Sequence, residues 1–578
     1  MSRDGTALTG CLPAATAEAS KSASAGPDGS IRSVGSCFAR DRDAALMRLD
    51  DLIVGLDVQP VGVPVGGGVV RICDLTEDSR TVMPGSLFVA RQGGKSDGRA
   101  FVATAVKAGA VAVLSDDAAL RVPAPAVLLH ADDVPLAAAR LAERFYGDPT
   151  SRLKLVGVTG TNGKTTTTFL IHQLLNGVGV RCGLIGTVVV DDGTEVAPAQ
   201  LTTPPALELS RTFARMLESG CAAAAIEASS HALHQKRTAG LKFGVGVFTN
   251  LTHDHLDYHH TMEEYAAAKA ILFAGLGPEA TVVVNATDPW TPRMLRDCRA
   301  RVVRCAVGAE GHADLRALIR RVSATGMDVT ITGPWGEWSL KLPLIGTYNA
   351  MNALQAAAAV AALGVDPALI ATGLTRIAAP PGRLEGVTTP ADPFAVYVDY
   401  AHTDDALERV LTVAREILDA GGEDQERAPK LHIVFGCGGD RDRTKRPKMG
   451  RLAAAIADRV IVTSDNPRTE KPGAIIDQIL TGVAAGQRGK VVVHADREQA
   501  IHAAVAQAEV GDIVIIAGKG HEDYQLMPDG AGGIVRNHFD DREVARAALA
   551  KRGLGVVQIT ATSGGRAGSG GRSGGKRL

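Results

Sequence analysis

The sequence predicts an α/β protein made of three successive α/β units, and three observations carry that prediction. A strand-like run, a glycine loop, Lys-Thr and a helix follow one another over Leu153–Phe169 (LKLVGVTGTNGKTTTTF). Short apolar runs alternate with helix-periodic segments through most of the chain, and many of the runs end in polar clusters. Turn and break signals near residue 150 and at Pro380–Glu385 divide that alternation into three.

The chain has 578 residues, room for roughly three or four domains at ~150 residues each. Apolar residues make up 45% and charged residues 22%, an ordinary globular balance. A formal net charge of −1 gives no global attraction to nucleic acid or to an anionic membrane. Apolar runs such as Ala356–Leu363 are far too short to span a bilayer. The N-terminus lacks the apolar core of a secretory signal, and Asp4, Glu18 and Asp28 argue against a transit peptide. The eight cysteines are scattered and none forms a C-x-x-C pair, so reduced thiols in a cytoplasmic protein are expected.

In chain order, residues 1–45 are rich in Ala, Ser, Gly and Thr without periodicity, and are expected to be disordered. The first ordered unit spans 46–150. It holds Asp78-Ser79-Arg80, a strand at Leu87–Ala90, a glycine loop at Gly94–Ser96, then a helix (FVATAVKAGA) and a strand (VAVLS). Ser79 and the loop are by themselves compatible with plain turn chemistry.

The middle unit spans 151–383. Its glycine loop reads G-x-x-G-K-T: Val158 stands where the strict phosphate-loop pattern has its first glycine, and Gly157 lies one residue further back. Gly160 and Gly163 let backbone N–H groups approach an anion, and the helix start adds positive potential. Lys164 suits β/γ-phosphates and the Thr165 hydroxyl suits Mg²⁺. Polar residues then recur where apolar runs end: Glu227, Ser229, Ser230 and His231, then Asn250, His253, Asp254, His255, Asp257 and His259, then Asn285 and Asp288. In an open α/β sheet ligands bind there. Glu227 with Thr165 makes an oxygen-donor pair for Mg²⁺. The His/Asp cluster lacks thiolates and H-E-x-x-H spacing, so a second Mg²⁺ is favoured over zinc. Asn349 and Asn352 sit near the start of an Ala-rich helix, where an amide can cap the helix or read a base.

The last unit, 384–560, repeats the theme with strands in FAVYVDYAHT, KLHIVFGCGGDRD, DRVIVTSDNPR, KVVVHADR and GDIVIIAGKGHE, which predicts a mainly parallel sheet. Arginines at 441, 443 and 468 follow strand ends, where a guanidinium suits bidentate carboxylate recognition; surface ion pairs are the alternative. Residues 561–578 form a Gly/Ser/Arg-rich tail, expected to be flexible.

Assembled, these motifs resemble the Mur ligases: GTNGKTT (160–166), EASSHALHQKR (227–237), FTNLTHDHLDYH (248–259), EYAAAKAILF (264–273), YNAMNA (348–353), DYAHTDDAL (399–407), FGCGGDRDRTKRP (435–447), SDNPRTE (464–470) and AGKGHEDYQ (517–525). The resemblance implies a three-domain architecture. A central parallel-sheet ATPase domain would be flanked by a small N-terminal UDP-binding domain and a C-terminal Rossmann-like domain. It implies ATP-dependent addition of diaminopimelate, the meso isomer expected, to the D-Glu γ-carboxylate of UDP-N-acetylmuramoyl-L-Ala-D-Glu through an acyl phosphate, in peptidoglycan precursor synthesis. By the same resemblance Lys164, Glu227, His255 and Lys269 are catalytic. Thr165 and Glu227 hold one Mg²⁺; His255 and Lys269 serve a second, with Lys269 carbamylated by CO₂ to N6-carboxylysine. ATP is met by Gly160, Thr161, Asn162, Gly163, Lys164, Thr165, Thr166, Asn349, Asn352, Arg383 and Asp399. The UDP-linked dipeptide is met by Ser79, Gly94, Lys95, Ser96, Thr202, Thr203, Ser229, Gln235 and Arg237. Diaminopimelate is met by Arg441, Asp465, Asn466, Pro467, Arg468, Gly518 and Glu522. Small-molecule partners and a monomer are implied, with neither nucleic acid nor membrane. The rivals are a lysine-adding or folate-polyglutamating ligase, a non-catalytic nucleotide-binding scaffold, and a plain phosphate-loop phosphotransferase. Arg468 argues for diaminopimelate over lysine, because only the former carries a second carboxylate.

Overall fold

The computed structural model describes residues 47–62, 69–93, 96–309, 311–389, 391–420 and 427–554. The expectations for 1–45, for Gly94 and Lys95, and for the 561–578 tail lie outside the described residues. Three main sheets follow one another along the chain.

The first comprises β1 (Gln59–Val61), β2 (Asp74–Thr76), β3 (Ser86–Val89), β4 (Ala112–Ser115) and β5 (Val127–His130), ordered β1-β5-β4-β3-β2. All its pairings are parallel except β1 with β5. Helices α1 (Val102–Ala108) and α2 (Val134–Phe145) belong to this region. Asp133 caps α2 by accepting from Leu136 N, and the helix presents an apolar stripe with its small and branched residues buried.

The second sheet has eleven strands. Its centre is parallel: β6 (Lys154–Thr159), β7 (Cys182–Ile185), β10 (Ala223–Glu227), β11 (Phe243–Phe248), β12 (Thr281–Asn285), β13 (Arg301–Val307) and β14 (Leu315–Ser323). A hairpin, β8 (Val189–Asp191) and β9 (Val196–Pro198), adds antiparallel strands at one edge. At the other edge β15 (Gly326–Gly333) and β16 (Gly336–Leu342) continue an antiparallel meander from β14. The expected parallel sheet is thus a mixed one. The connections between β14, β15 and β16 are two residues long, too short for the crossover that a parallel neighbour needs. The helices of this region include α3 (Lys164–Gly177), α4 (Ala206–Glu218), α5 (Ser230–His234), α6 (Leu256–His259), α7 (Met262–Ala274), α8 (Thr347–Ala362) and α9 (Pro367–Leu374). All five residues of β10 are buried, as a strand covered on both faces requires. Its alanines leave room for α3 to pack close against it.

The third sheet is ordered β17-β18-β22-β19-β20-β21: β17 (Glu385–Gly386), β18 (Ala395–Asp399), β19 (Leu431–Phe435), β20 (Arg459–Val462), β21 (Val491–Val493) and β22 (Ile513–Ala517). Only β17 runs antiparallel, so the expected mainly parallel sheet is found. Its helices include α10 (Asp404–Ala420), α11 (Lys445–Ile456), α12 (Pro472–Leu480), α13 (Arg497–Gln507) and α14 (Asp541–Lys551). A separate hairpin, β23 (Tyr524–Pro528) and β24 (Ile534–His538), lies beyond β22. Among the described residues no helix is long and apolar enough to cross a membrane.

Candidate active site

Strand β6 delivers the chain into the glycine loop, and two glycines there are required by both conformation and room. Gly160 has φ +153° and Gly163 φ +83°. A Cβ on Gly160 would stand 1.9 Å from Thr249 Oγ1, and one on Gly163 would stand 2.5 Å from Asn352 Oδ1. Helix α3 starts directly from Gly163 with no side-chain cap, leaving first-turn amides for an anion. Lys164 folds back on the loop, its Nζ donating to Gly160 O at 2.9 Å and Thr161 O at 2.8 Å. Burial pushes its amine below the usual lysine range, against the pull of Glu227.

Beside the loop, Thr165 Oγ1 donates to Glu227 Oε2 at 3.1 Å. Thr187 donates to the same carboxylate through its N (2.7 Å) and its Oγ1 (3.0 Å). Glu227 is fully buried and has no ion-pair partner among the described residues. A buried carboxylate among hydroxyls, lacking a cation, is a donor set that fits Mg²⁺. No group of three or more His, Cys, Asp or Glu placed to hold a metal occurs among the described residues, so the histidines do not form a zinc-type site. They stack instead. The His231 ring lies 4.2 Å from Tyr258 and 5.0 Å from His255, and His259 pairs with Ser230 Oγ at 3.0 Å.

Lys269 comes from the middle of α7 and is 1% exposed. Its Nζ donates to Gly160 O at 2.8 Å and lies 4.4 Å from the Tyr265 ring centre, one helical turn back. Burial, and then the Lys164 charge, push this amine well below the usual lysine range. Tyr265 in turn shares a hydrogen bond with Thr161 Oγ1 at 3.2 Å, and its ring stands 6.0 Å from His255. His255 sits at φ +53° at the start of α6. Burial lowers its pKa.

Across the loop, Asn352 Nδ2 donates to Asn349 Oδ1 at 2.8 Å, and Asn349 Nδ2 to Ile345 O at 2.7 Å. Asp399, at the end of β18, accepts from Leu384 N and Ala401 N, both at 2.8 Å. Burial raises its pKa, opposed by Arg383. The Arg383 guanidinium lies 4.9 Å from the Tyr400 ring, and its Nε is buried without a hydrogen-bond partner among the described residues. One cavity of about 720 Å³ runs between these groups. Every residue read as an ATP or Mg²⁺ contact lines it except Gly160, which accepts from both lysines, and Thr202 and Ser229 line it too.

Thr203, Ser229, Gln235 and Arg237 form one network. Thr203 Oγ1 lies 3.2 Å from Ser229 Oγ, and Arg237 donates to Thr203 O (2.8 Å) and Gln235 Oε1 (2.7 Å). Burial, and then Arg91, lower the Arg237 pKa. Ser79 is half-buried in a turn and Ser96 is exposed; neither lines the cavity.

The seven residues read as amino-acid contacts gather at the ends of β19, β20 and β22, outside the cavity. A Cβ on Gly438 would lie 3.1 Å from Arg468 Nη1 and 3.9 Å from Arg441 Cγ, so both arginines border one glycine. Asp465 Oδ2 is 2.9 Å from the Cβ position of Gly518. Asn466 Nδ2 donates to Glu522 Oε2 at 2.8 Å, and Lys519 Nζ lies 3.3 Å from both Asn466 Oδ1 and Glu522 Oε2. Burial raises the Glu522 carboxyl, opposed first by Lys519. Loops that carry two arginines and two carboxylates suit a ligand end bearing both a carboxylate and an ammonium. Gly518 N donates to Asp399 O at 3.1 Å and ties this cluster to the cavity.

Sequence reasoning missed Thr187, Tyr265, Lys519 and Arg409 as parts of these sites. Thr187 follows the end of β7, so the strand-end rule that found Glu227 reaches it. Tyr265 is readable as the i−4 neighbour of Lys269. Arg409 lines the cavity from the interior of α10, and no local pattern marks it.

Three family models match the chain: "Mur ligase family, catalytic domain" over residues 72–146, "Mur ligase middle domain" over 158–360, and "Mur ligase, glutamate ligase domain" over 382–520. Similar curated proteins are named UDP-N-acetylmuramoyl-L-alanyl-D-glutamate--2,6-diaminopimelate ligase. One from Gloeobacter violaceus is 43% identical over 506 residues, 88% of this chain and 99% of that protein. Another, from Synechococcus sp. strain WH7803, is 45% identical over 507 residues, 85% and 98% of the two chains. A solved structure of a protein of that name matches with TM-score 0.62 at 33% identity, covering 84% of this chain and 96% of its own. MurF from Acinetobacter baumannii matches with TM-score 0.54 at 19% identity, covering 77% and 90%, a likeness of fold.

Proposed function

The chain belongs to the Mur ligase family, and on that premise we propose that it joins meso-diaminopimelate to the γ-carboxylate of UDP-N-acetylmuramoyl-L-alanyl-D-glutamate, consuming ATP. The reaction class and the amino acid agree with the names of its relatives. The observation that carries the amino-acid assignment is that Arg441 and Arg468 border the same glycine, Gly438, on loops at the ends of β19 and β20, with Asp465 and Glu522 on the loops that follow β20 and β22. Lysine has no second carboxylate for the arginines.

The γ-carboxylate attacks the γ-phosphorus of ATP, ADP leaves, and an acyl phosphate forms. The diaminopimelate amine attacks its carbonyl, phosphate leaves with one oxygen of the former carboxylate, and the amine loses a proton. The loop from Gly160 to Thr166 binds the phosphates through its amides, and Lys164 swings from Gly160 O onto them. Asn349, Asn352, Arg383 and Asp399 hold the nucleoside. Thr202, Thr203, Ser229, Gln235 and Arg237 hold the dipeptide end, and Ser79 and Gly94–Ser96 hold the uridine diphosphate. Thr165 and Glu227 would hold Mg²⁺, and His255 and Lys269 a second ion, which neutralise phosphate charge when bound. Lys269 serves there as its carbamate, since a cationic amine next to Mg²⁺ is electrostatically unfavourable. The depressed amine supports this reading, because only the neutral form reacts with CO₂. Residues 46–150, 151–383 and 384–560 act as the three domains. The same reading makes the protein a monomer that works in the cytoplasm.

The test is ATP-dependent phosphate release with the UDP-dipeptide and meso-diaminopimelate, LL-diaminopimelate, L-lysine or no amino acid. Release that needs the meso isomer is expected. Equal release with lysine would refute the arginine argument, and release independent of any amino acid would refute the ligase reading.

A further inference from the structure

Two loops carry the arginines assigned above to the amino acid: one after β19 with Arg441, one after β20 with Arg468. These loops are held to each other. Gly439 N donates to Asn466 O at 2.9 Å, Arg468 Nη1 donates to Gly439 O at 2.8 Å, and the Asp440 carboxylate accepts from Thr469 N at 3.0 Å and Oγ1 at 2.8 Å. Asp440 and Arg468 both sit at positive φ, +53° and +55°. Residues other than glycine persist there when their surroundings over-determine them.

What over-determines them lies behind the loops. Arg446, near the start of α11, is fully buried. It donates to Glu470 Oε2 at 3.0 Å and Oε1 at 2.9 Å, a bidentate pair, and to Gly438 O at 3.0 Å. Glu470 Oε1 also accepts from Asp440 N at 2.7 Å. One ion pair therefore holds the backbone of the first loop on both sides of Gly439, while Glu470 itself closes the second loop. The Arg446 guanidinium holds the Glu470 carboxyl down at about 2, so the pair is charged throughout the working pH range. Arg446 is fully buried and the Glu470 side chain only 13% exposed; an ion pair so far withdrawn from water contributes little net stability compared with apolar groups of the same shape, so its use here is geometric.

We propose that Arg446 and Glu470 are positioning residues for the amino-acid substrate: without touching it, they lock the two loops in register so that Arg441 and Arg468 present a preformed clamp for its distal carboxylate, and they thereby set the preference for a diamino acid that carries one. This rests on the function proposed above.

Glu470→Gln keeps an acceptor for Asp440 N but removes the charge facing Arg446. Steady-state constants are measured for all three substrates, with lysine as the competing amino acid. The expected result is a rise of about tenfold in the diaminopimelate KM and a like fall in its preference over lysine, with kcat and the other two KM values within about twofold. Glu470→Asp, which restores the charge, recovers part of the loss. Thr469→Val removes the exposed link to Asp440 without touching the buried pair, and is expected to raise the diaminopimelate KM about threefold. It decides the matter should Glu470→Gln fail to fold. A folded variant with an unchanged diaminopimelate KM, or a parallel shift in kcat and every KM, overturns the proposal. Parent enzyme that releases no phosphate in response to diaminopimelate overturns the functional reading instead.

Discussion

At the scale of single residues, the site is built from charged groups placed where water is excluded. Lys269 is the sharpest case: a buried lysine with no carboxylate paired to it among the described residues, sharing the Gly160 carbonyl with Lys164. An ammonium there is costly, so burial favours the neutral amine, the form that the proposed carbamate requires. Activity should therefore fall in buffer stripped of CO₂ and return with bicarbonate. Lys269→Ala should lose about 10²–10³ in kcat, as removal of an electrostatic stabiliser does, and should not respond to bicarbonate. Near-full activity of that variant would remove Lys269 from the site. Glu470 gives a pH prediction of definite sign. Its carboxyl is depressed to about 2, so its contribution to stability is complete above the ordinary glutamate range and is lost as pH falls through about 2. The Tm gap between parent and Glu470→Gln should be widest at neutral pH and close towards that acid limit; a gap independent of pH would contradict the pairing. Glu227 and Lys164 were legible in the sequence because each stands at a fixed place relative to a strand end. Lys519 was not, since the partners that give it meaning, Asn466 and Glu522, come from two different loops and meet only on folding.

Among the elements, the unit of β6, glycine loop and α3 was the most legible, because an apolar strand, two glycines and a Lys-Thr helix start fall within one short stretch. Gly163→Ala tests it. The added methyl meets Asn352 Oδ1 at a positive φ, so the variant should lose about 1 kcal/mol or more of stability and bind ATP more weakly, read by urea titration and by nucleotide titration. Unchanged nucleotide affinity would mean that the loop does not contact phosphate. The parallel strands of the second and third sheets were readable as continuous apolar runs ending in polar clusters, the pattern of strands buried on both faces. The edges were not. The meander β14-β15-β16 is half-exposed and mixes Arg, Asp and Trp with its apolar residues, which blurs any period. The hairpin β23-β24 has an entirely exposed second strand and no core face to impose alternation. That hairpin is nonetheless structural support for the site, because Leu526 O accepts from Arg468 N at 3.0 Å and Leu526 N donates to Asn466 Oδ1 at 2.9 Å.

In the whole molecule, parallel sheets aim their strand ends at shared spaces, and the proposed function divides the substrates between them. The residues proposed above for the nucleotide line the central cavity, and those proposed for the amino acid sit on the loops of the third sheet. Substitutions should therefore separate by substrate. Arg468→Ala removes charged hydrogen bonds worth about 1.5–3 kcal/mol each, so the diaminopimelate KM should rise roughly 10- to 100-fold while that of ATP stays put. Equal losses in both would sink the division. The central claim, that ATP activates the γ-carboxylate for attack by diaminopimelate, is tested most directly by isotope transfer. UDP-dipeptide carrying ¹⁸O in both oxygens of that carboxylate is turned over with ATP and meso-diaminopimelate, and the phosphate is weighed by mass spectrometry. Phosphate bearing one ¹⁸O, formed in step with the amide product, is the predicted result. Unlabelled phosphate would mean that ATP is hydrolysed by water and that no acyl phosphate lies on the path.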